Sequence, residues 1–381
     1  STETLSHPLA TFIFNFGYWL FWFPNALFCR RRLCNGFEIW RKRESHLIDR
    51  SSETAEYIVY GGARSLFTRK LTAALDFYGA QYRVEPRGPH VNDELQVRAN
   101  SHQIPLIRTP EDWLLADTTP ILRLLDGRFP LRRLLPTGPL GMLVSVIEEV
   151  LDEWVARVMV HYRWHNLENA RYVLSQGAGR ELSAEELKEH PMFLWGPRAC
   201  RATGTEYPAQ QRAAEREYLD MLDVLELQLG ETRYALGDRP SAVDTIVLGG
   251  LRAHTNADPI PDLRSYTRIL EWEAECENGW DGKGELAPFP DSTLFGQHML
   301  ELTRDQYIKF VSANGKALAA GDKVFQIETY GEETTYLARE YPERSRRILR
   351  AHAYDSLSDE ERELVLEWLK TERLSDLIVE N

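Results

Sequence analysis

Two short stretches of the sequence carry residue types that could hold a small polar ligand. Pro105 lies between Ile104 and Leu106 in a run, IPLIRT, that otherwise has the composition of a buried strand. Proline cannot donate a hydrogen bond to a neighbouring strand, so it belongs at an edge or a bend of a sheet. Asp117 and Thr118 begin an apolar helical pattern, where a carboxylate, a hydroxyl and free backbone N–H groups come together. Plain capping of the helix would also explain this pair.

Two hydroxyl residues lie near the first predicted strand, and each could donate a hydrogen bond to a ligand. Ser65 begins the helical pattern SLFTRKL, and Tyr60 lies at the end of the strand YIVYG. A purely structural Ser65 would cap the helix.

These residues need a small mixed sheet to position them. Hydrophobic periodicity and turn residues predict strands at 57–61, 80–87, 104–109 and 113–116, in the order β-α-β-α-β-β-α. From about residue 140 onward the pattern is helical, with a long apolar face over 141–176 and later helices. The later predicted helices are 215–230, 241–254, 294–319, 341–354 and 358–379, while 177–209 is predicted to be irregular.

Four local features occur in the order in which the glutathione S-transferase superfamily has them. YGGARSLFTRKL (60–71) resembles the family's first helix start, and Ile104-Pro105 resembles the cis-proline before its third strand. Asp117-Thr118 is similar to its Glu-Ser pair, and LGDRPSAVDTIVLGGL (236–251) to the cap of a buried helix. The resemblance implies a thioredoxin-like domain at 51–132, followed by an all-helical domain at 140–381.

An enzyme with glutathione as co-substrate is the function that this resemblance implies. Ile104 and Pro105 would pair with the cysteinyl backbone, and Asp117 and Thr118 with the γ-glutamyl group. A free thiol titrates near ~8.5, and a hydrogen bond to sulfur at a helix N-terminus stabilises the thiolate. The resemblance gives this role to Ser65, as in the Ser- and Cys-type classes, or to Tyr60, as in the Tyr-type classes, and a site without a catalytic hydroxyl is the third alternative. The activated thiolate would attack a small hydrophobic electrophile, and the chain would form a homodimer. Candidates for the acceptor pocket are the aromatic residues Tyr162, Trp164, Phe193 and Trp195, which core packing would explain equally well.

Further expectations concern a buried cap and a histidine pair. Ser241 and Asp244 resemble the family's buried capping box, so Asp244→Ala is expected to destabilise the fold by ~1 kcal/mol or more. His161 and His165 are four residues apart and could face one metal ion, but no third ligand is evident, so no metal site is predicted.

The first fifty residues form a hydrophobic arm with a basic flank. Residues 9–28 carry no charge and include nine aromatic residues, and as a helix they would span about 30 Å. Arg30, Arg31 and Arg32 follow, so a membrane contact would place the rest of the chain on the cytoplasmic side. The alternative is an arm packed on protein. An arm of this kind also leaves open a second function, a non-catalytic docking or assembly subunit of a membrane complex, similar to metaxins.

The composition argues against nucleic-acid binding and favours a reducing compartment. The net charge of the 381-residue chain is −13, and the first fifty residues contribute +3, which leaves −16 for the rest. An acidic body of this kind lacks the broad basic face that nucleic-acid binding needs. The four cysteines form no C-x-x-C pair, which favours a reducing compartment.

Overall fold

The computed structural model describes residues 56–88, 93–277 and 280–379. The arm at 1–50, with its predicted membrane contact at 9–28, lies outside these residues. Across the described ranges, no helix combines the length and the apolar composition that crossing a bilayer requires.

The amino-terminal part contains a four-stranded sheet in the order β2-β1-β3-β4. β1 pairs in parallel with β2 and antiparallel with β3, and β3 pairs antiparallel with β4. The strands are β1 (Tyr57–Gly61), β2 (Tyr82–Pro86), β3 (Leu106–Arg108) and β4 (Leu114–Ala116), and the helices are α1 (Leu66–Tyr78), α2 (Glu94–Ala99) and α3 (Thr118–Arg128). This order confirms the predicted thioredoxin-like domain.

Alternation along β1 distributes side chains between the two faces of the sheet. Tyr57 and Val59 join the main core with α1, whereas Ile58 and Tyr60 form a small cluster with Leu106 on the opposite face. α1 is capped at its start by Ser65 and ends at Gly79, whose φ of 70° is the left-handed conformation that glycine adopts without strain. The first β-α-β unit therefore follows from local sequence.

Helices make up most of the chain from residue 138 onward. They are α4 (Gly138–Val150), α5 (Arg157–His165), α6 (Leu167–Ala178), α7 (Ala184–Glu189), α8 (Pro191–Ala202), α9 (Pro208–Gln228), α10 (Ala242–Gly250), α11 (Thr267–Glu277), α12 (Leu294–Leu302), α13 (Ile308–Ala320), α14 (Glu340–Ala351) and α15 (Asp359–Thr371). A π turn at Leu151–Val155 joins α4 to α5, and others follow α10, α12 and α14. A two-stranded hairpin, β5 (Val324–Thr329) and β6 (Glu332–Leu337), lies between α13 and α14.

Several elements differ from the sequence expectation, among them α11, for which no helix was predicted. The stretch 177–209, predicted to be irregular, contains α7 and α8, whose prolines Pro191 and Pro197 hide the helical pattern. The hairpin β5–β6 was not predicted, because its strands alternate between exposed and half-buried residues and carry little apolar signal.

The helical part packs closely on the thioredoxin-like domain through α10. A Cβ atom on Gly249 would lie 2.7 Å from the carbonyl oxygen of Leu66 and 2.9 Å from the backbone nitrogen of Lys70. Only glycine permits α10 to approach the α1 backbone this closely. Contact between these two helices fixes α1 against the helical part.

A buried capping box starts α10, as the resemblance implies. Asp244 is fully buried and accepts hydrogen bonds from the backbone N–H of Ala235 at 2.9 Å and of Ser241 at 2.7 Å, and from the Ser241 hydroxyl at 3.0 Å. Burial raises the pKa of Asp244 to about 6, and the donated hydrogen bonds oppose that rise, so the carboxyl is ionised at neutral pH.

We expect Asp244→Ala to lower the free energy of unfolding by about 3 kcal/mol, because it leaves two buried N–H groups without a partner. The matched control is Glu361→Ala in the capping box of α15, which is exposed. That change should cost about 1 kcal/mol or less. Urea unfolding of both variants gives the comparison, and equal losses would contradict the special role of the buried box.

Candidate functional site

Strand register brings the predicted ligand residues to one edge of the sheet. Tyr60, near the end of β1, pairs with Leu106, and Leu106 pairs with Ala116. The peptide before Leu106, the residue after Ala116 and the loop after β1 therefore meet at the same edge. These positions are occupied by Pro105, Asp117 and the turn that leads to Ser65.

Ser65 lies half-buried at the start of α1 and caps it. Its side-chain oxygen accepts a hydrogen bond from the backbone N–H of Thr68 at 3.3 Å. Because the cap uses only the oxygen as an acceptor, the hydroxyl proton can still be donated to a ligand. The capping role and the proposed chemical role are therefore compatible in this one residue.

The Ile104–Pro105 peptide bond is cis, as the resemblance implies. Neither the backbone N–H nor the C=O of Ile104 forms a hydrogen bond with another residue in the described ranges. Buried Arg87 holds the preceding segment by donating to the carbonyl oxygen of Gln103 at 3.0 Å. The backbone of Ile104 is thus positioned beside β3 with its polar groups available to a ligand.

Asp117 and Thr118 lie at the start of α3. Asp117 has a φ of 75°, a strained backbone conformation for a residue with a side chain, and its carboxylate makes no capping hydrogen bond. Burial raises the pKa of Asp117, while the charges of Lys70 and Arg344 and the nearby N–H of Thr119 lower it. The Thr118 hydroxyl has no hydrogen-bond partner among the described residues.

Tyr60 is buried on the other side of β1 from α1. Its ring packs with Ile58 and Leu106, next to residues of α2 and β4. Ser65 instead lies at the helix start that faces the edge where Pro105 and Asp117 meet. This placement favours Ser65 over Tyr60 as the thiol-activating hydroxyl, and the choice between them stays a prediction.

A fully buried lysine lies directly behind the site. Lys70 on α1 forms ion pairs with Glu148 on α4 and with Asp152 in the π turn, the latter at 2.7 Å. The hydroxyl of Thr119, in the first turn of α3, donates to Glu148 at 2.9 Å. This cluster joins α1, α3 and α4 at the point where the ligand residues converge.

Carboxylates outnumber cations around this lysine. Burial alone would lower the pKa of Lys70, but the charges of Asp152 and Glu148 raise it, so the ammonium stays protonated. Burial raises the pKa of the Asp152 carboxyl, and the positive charge of Lys70 opposes that rise. The two groups lie 2.7 Å apart and form an ion pair. Burial and neighbouring carboxylates also raise the pKa of Glu149, which accepts a hydrogen bond from Tyr307.

Buried Arg163, in the middle of the HYRWH motif, holds the loop before Ser65. It donates to the carbonyl oxygen of Arg64 at 2.8 Å and pairs with Asp258 at 2.9 Å. The Arg64 guanidinium in turn donates to the carbonyl oxygen of Val173 on α6. The sequence analysis predicted a role for the aromatic neighbours of Arg163 but not for the arginine itself. Its position in the middle of an otherwise apolar helix face was the signal that could have indicated its role.

The four aromatic residues predicted to line an acceptor pocket lie in packed surroundings. Tyr162 is buried and meets Tyr218 edge to face. Trp164, Trp195 and Phe193 belong to a small cluster between α5 and α8, with the two indole rings 6.1 Å apart. Their role as an acceptor pocket stays a prediction.

The larger clefts in the described structure lie away from the ligand edge. One cleft of about 790 Å³ is lined by residues of α6 and α7, including Leu167 and Tyr172, and another of about 380 Å³ includes Arg268 and Trp280. Neither is lined by the residues predicted to bind a ligand. The face of α6 that lines the first cleft is opposite to the face, at Val173 and Gly177, that contacts Arg64.

The histidine pair forms part of a hydrogen-bonded chain. His161 Nδ1 lies 2.8 Å from His165 Nδ1, and His161 Nε2 lies 2.7 Å from Glu215. Within the ranges that the structure describes, no group of three or more His, Cys, Asp or Glu side chains could hold a metal ion. Cys200 and Cys276 are buried free thiols, and burial raises the pKa of Cys200 to about 12.

Of the comparisons with known proteins, only the one with solved structures found proteins similar to this chain. No protein-family model matches the chain, and no curated protein matches it. A glutathione S-transferase from Rhodospirillum rubrum F11 is similar over 64% of this chain and 99% of its own, with 15% identity and a TM-score of 0.42. The fold resembles that of glutathione S-transferases.

Two further solved structures are similar to this chain. The beta-etherase from Sphingobium sp. strain SYK-6 matches 57% of this chain and 93% of its own, with 16% identity and a TM-score of 0.42. Rice glutathione S-transferase, in complex with glutathione, matches 58% and 87%, with 16% identity and a TM-score of 0.37. Likeness at this level says nothing of activity, so the site is interpreted from this chain's own residues.

We expect Lys70→Met to lower the free energy of unfolding by about 3–5 kcal/mol at neutral pH, because it leaves Glu148 and Asp152 buried without a counter-ion. The deficit should shrink as the pH falls, because protonation of those carboxylates removes the uncompensated charge. Urea unfolding at several pH values measures both effects, with exposed Lys188→Met as the control. A deficit that does not change with pH would contradict the electrostatic explanation.

Proposed function

We propose that the protein is a glutathione-dependent transferase that activates the glutathione thiolate for attack on a small hydrophobic electrophile. The observation that carries this proposal is the convergence, at one edge of the sheet, of polar groups that could bind a ligand. They are the backbone of Ile104, the Asp117 carboxylate, the Thr118 hydroxyl and the donor proton of Ser65.

Two of the three residues of glutathione correspond to these groups. The backbone of the cysteinyl residue pairs with Ile104 in the manner of an added strand, because the Ile104 N–H and C=O are unpaired beside β3. The γ-glutamyl ammonium pairs with Asp117, and its carboxylate approaches Thr118 at the start of α3. These contacts direct the thiol toward the end of β1, where Ser65 lies.

Ser65 supplies the chemistry by donating a hydrogen bond to the sulfur. Lowering a thiol pKa by two units requires roughly 2.7 kcal/mol of preference for the thiolate. A hydrogen bond to an anion contributes about 1.5–3 kcal/mol, and the N-terminus of α1 adds to it. Loss of the thiol proton to solvent leaves a thiolate, which forms a C–S bond to an electrophilic carbon. In a displacement, the leaving group departs with the electron pair of the bond that breaks. In an addition, the electron pair of a π bond moves to the neighbouring atom, which takes a proton from solvent. We also propose a homodimer, as the resemblance implies.

Binding of glutathione is tested with an aspartate pair. We expect the purified protein to be retained on immobilised glutathione and Asp117→Asn to weaken the affinity about tenfold or more, because it removes a charge-assisted contact. The control is Asp112→Asn, a second aspartate with positive φ that is exposed and pairs with Arg98. Absence of binding by the unmodified chain would favour the non-catalytic docking function.

The activating hydroxyl is tested by titrating the thiol of bound glutathione through the ultraviolet absorbance of its thiolate. In Ser65→Ala the pKa of that thiol should return toward ~8.5, while Tyr60→Phe should leave it near the unmodified value. The reverse pattern would assign the role to Tyr60. No effect of either variant would show that the site works without a catalytic hydroxyl.

A further inference from the structure

The start of α14 lies against the segment that carries the predicted cis-proline. The hydroxyl of Tyr341 is 3.4 Å from the hydroxyl of Ser101, four residues before Pro105. Just before α14, Arg339 lies 3.5 Å from Glu153, in the π turn that also contains Asp152. The carboxy-terminal part of the chain therefore reaches the edge of the sheet where the ligand residues converge.

Arg344 extends this contact by one helical turn. It lies three residues after Tyr341, on the same side of α14, and its guanidinium carbon is 5.3 Å from the centre of the Tyr341 ring. Its charge is close enough to act on Asp117, where it opposes the burial that raises the pKa of that carboxyl. Tyr341 therefore contacts both Arg344 and Ser101, which precedes the cis-proline.

Arg344 lacks the ion pair that nearby arginines have. Arg339 pairs with Glu153, and both Arg346 and Arg347 pair with Glu343. Arg344 is exposed and has no carboxylate partner among the described residues; its recorded contact is the ring of Tyr341. A guanidinium held by an aromatic ring, with its donors free, is suited to a planar anion such as a carboxylate.

The electrostatics of the edge call for such a cation. Asp117 can pair with an ammonium group, but it repels a carboxylate on the same ligand carbon. The helix start of α3 supplies only partial positive charge. A full positive charge beside it would strengthen binding of the γ-glutamyl carboxylate.

We propose that Arg344 binds the α-carboxylate of the γ-glutamyl unit of glutathione, with Tyr341 and Ser101 holding it in place. This inference rests on the proposed function. Asp117, in the sheet domain, then binds the ammonium of the γ-glutamyl unit, and Arg344, in the carboxy-terminal part of the chain, binds its α-carboxylate. Arg344 is a specificity-determining residue that distinguishes a γ-glutamyl thiol from a thiol without that carboxylate.

The test compares three thiols by isothermal titration with the full chain. They are glutathione, γ-glutamylcysteine, which lacks only the glycine, and 4-aminobutanoyl-cysteinyl-glycine, which lacks only the γ-glutamyl α-carboxylate. The variants are Arg344→Gln and, as a matched control on the same helix, Arg347→Gln. Both arginines are exposed, so folding should be unaffected, and the urea midpoint checks this.

We expect Arg344→Gln to weaken glutathione and γ-glutamylcysteine by a similar factor of about 10, the effect of losing one charge-assisted contact. The analogue without the carboxylate should bind weakly and equally to the unmodified chain and to Arg344→Gln. Arg347→Gln should resemble the unmodified chain with all three thiols. Arg344→Lys should recover part of the affinity, because it restores the charge without the planar fork.

Other results would overturn the inference in distinguishable ways. If the unmodified chain binds none of the thiols, the proposed function fails and this inference fails with it. If glutathione binds and Arg344→Gln behaves like Arg347→Gln, glutathione binding stands and the role of Arg344 is wrong. Tighter binding of glutathione by Arg344→Gln would show instead that α14 obstructs the site. If Arg344→Gln weakened binding of the analogue without the carboxylate by the same factor as binding of glutathione, the effect of the variant would be unrelated to the carboxylate.

Discussion

Burial of the Lys70 ammonium between Glu148 and Asp152 is the constraint on which the site depends. An uncompensated charge in this position would be costly, so α1 and α4 must meet in one register. The hydroxyl of Thr119 extends the same network into the first turn of α3. One cation thereby fixes the relative positions of the helix that begins at Ser65 and the helix that begins at Asp117.

Close packing of the helical part on the sheet domain makes that register rigid. Gly249 allows α10 to lie against the backbone of α1, and Arg163 holds the carbonyl of Arg64 immediately before the Ser65 cap. The ligand edge thus rests on contacts from α5, α10 and α4, all of which belong to the second part of the chain. The sheet supplies the polar groups, and the helices determine where these groups lie.

Features governed by neighbours in sequence could be predicted, and those governed by distant partners could not. The succession of strands and helices along residues 57–128, the Ser65 cap and the box at Asp244 follow from patterns a few residues long, and the structure contains each of them. The role of Lys70 could not be predicted, because its carboxylate partners lie 78 and 82 residues away in the sequence. The contact between Ser101 and Tyr341 spans 240 residues, a separation that no periodicity reveals.

α4, the π turn at Leu151–Val155 and α5 follow one another as one long helical segment. The turn determines the directions in which the side chains of α5 point relative to those of α4. It contains one residue more than a regular helical turn needs, so everything after it is rotated relative to α4 by about 100°. With that rotation, Asp152 still reaches Lys70 while Arg163, eleven residues on, reaches Arg64. Loss of a single residue from the turn would keep the segment helical but would rotate the side chains of α5 away from their present partners. Insertions and deletions here are therefore far more restricted than substitutions.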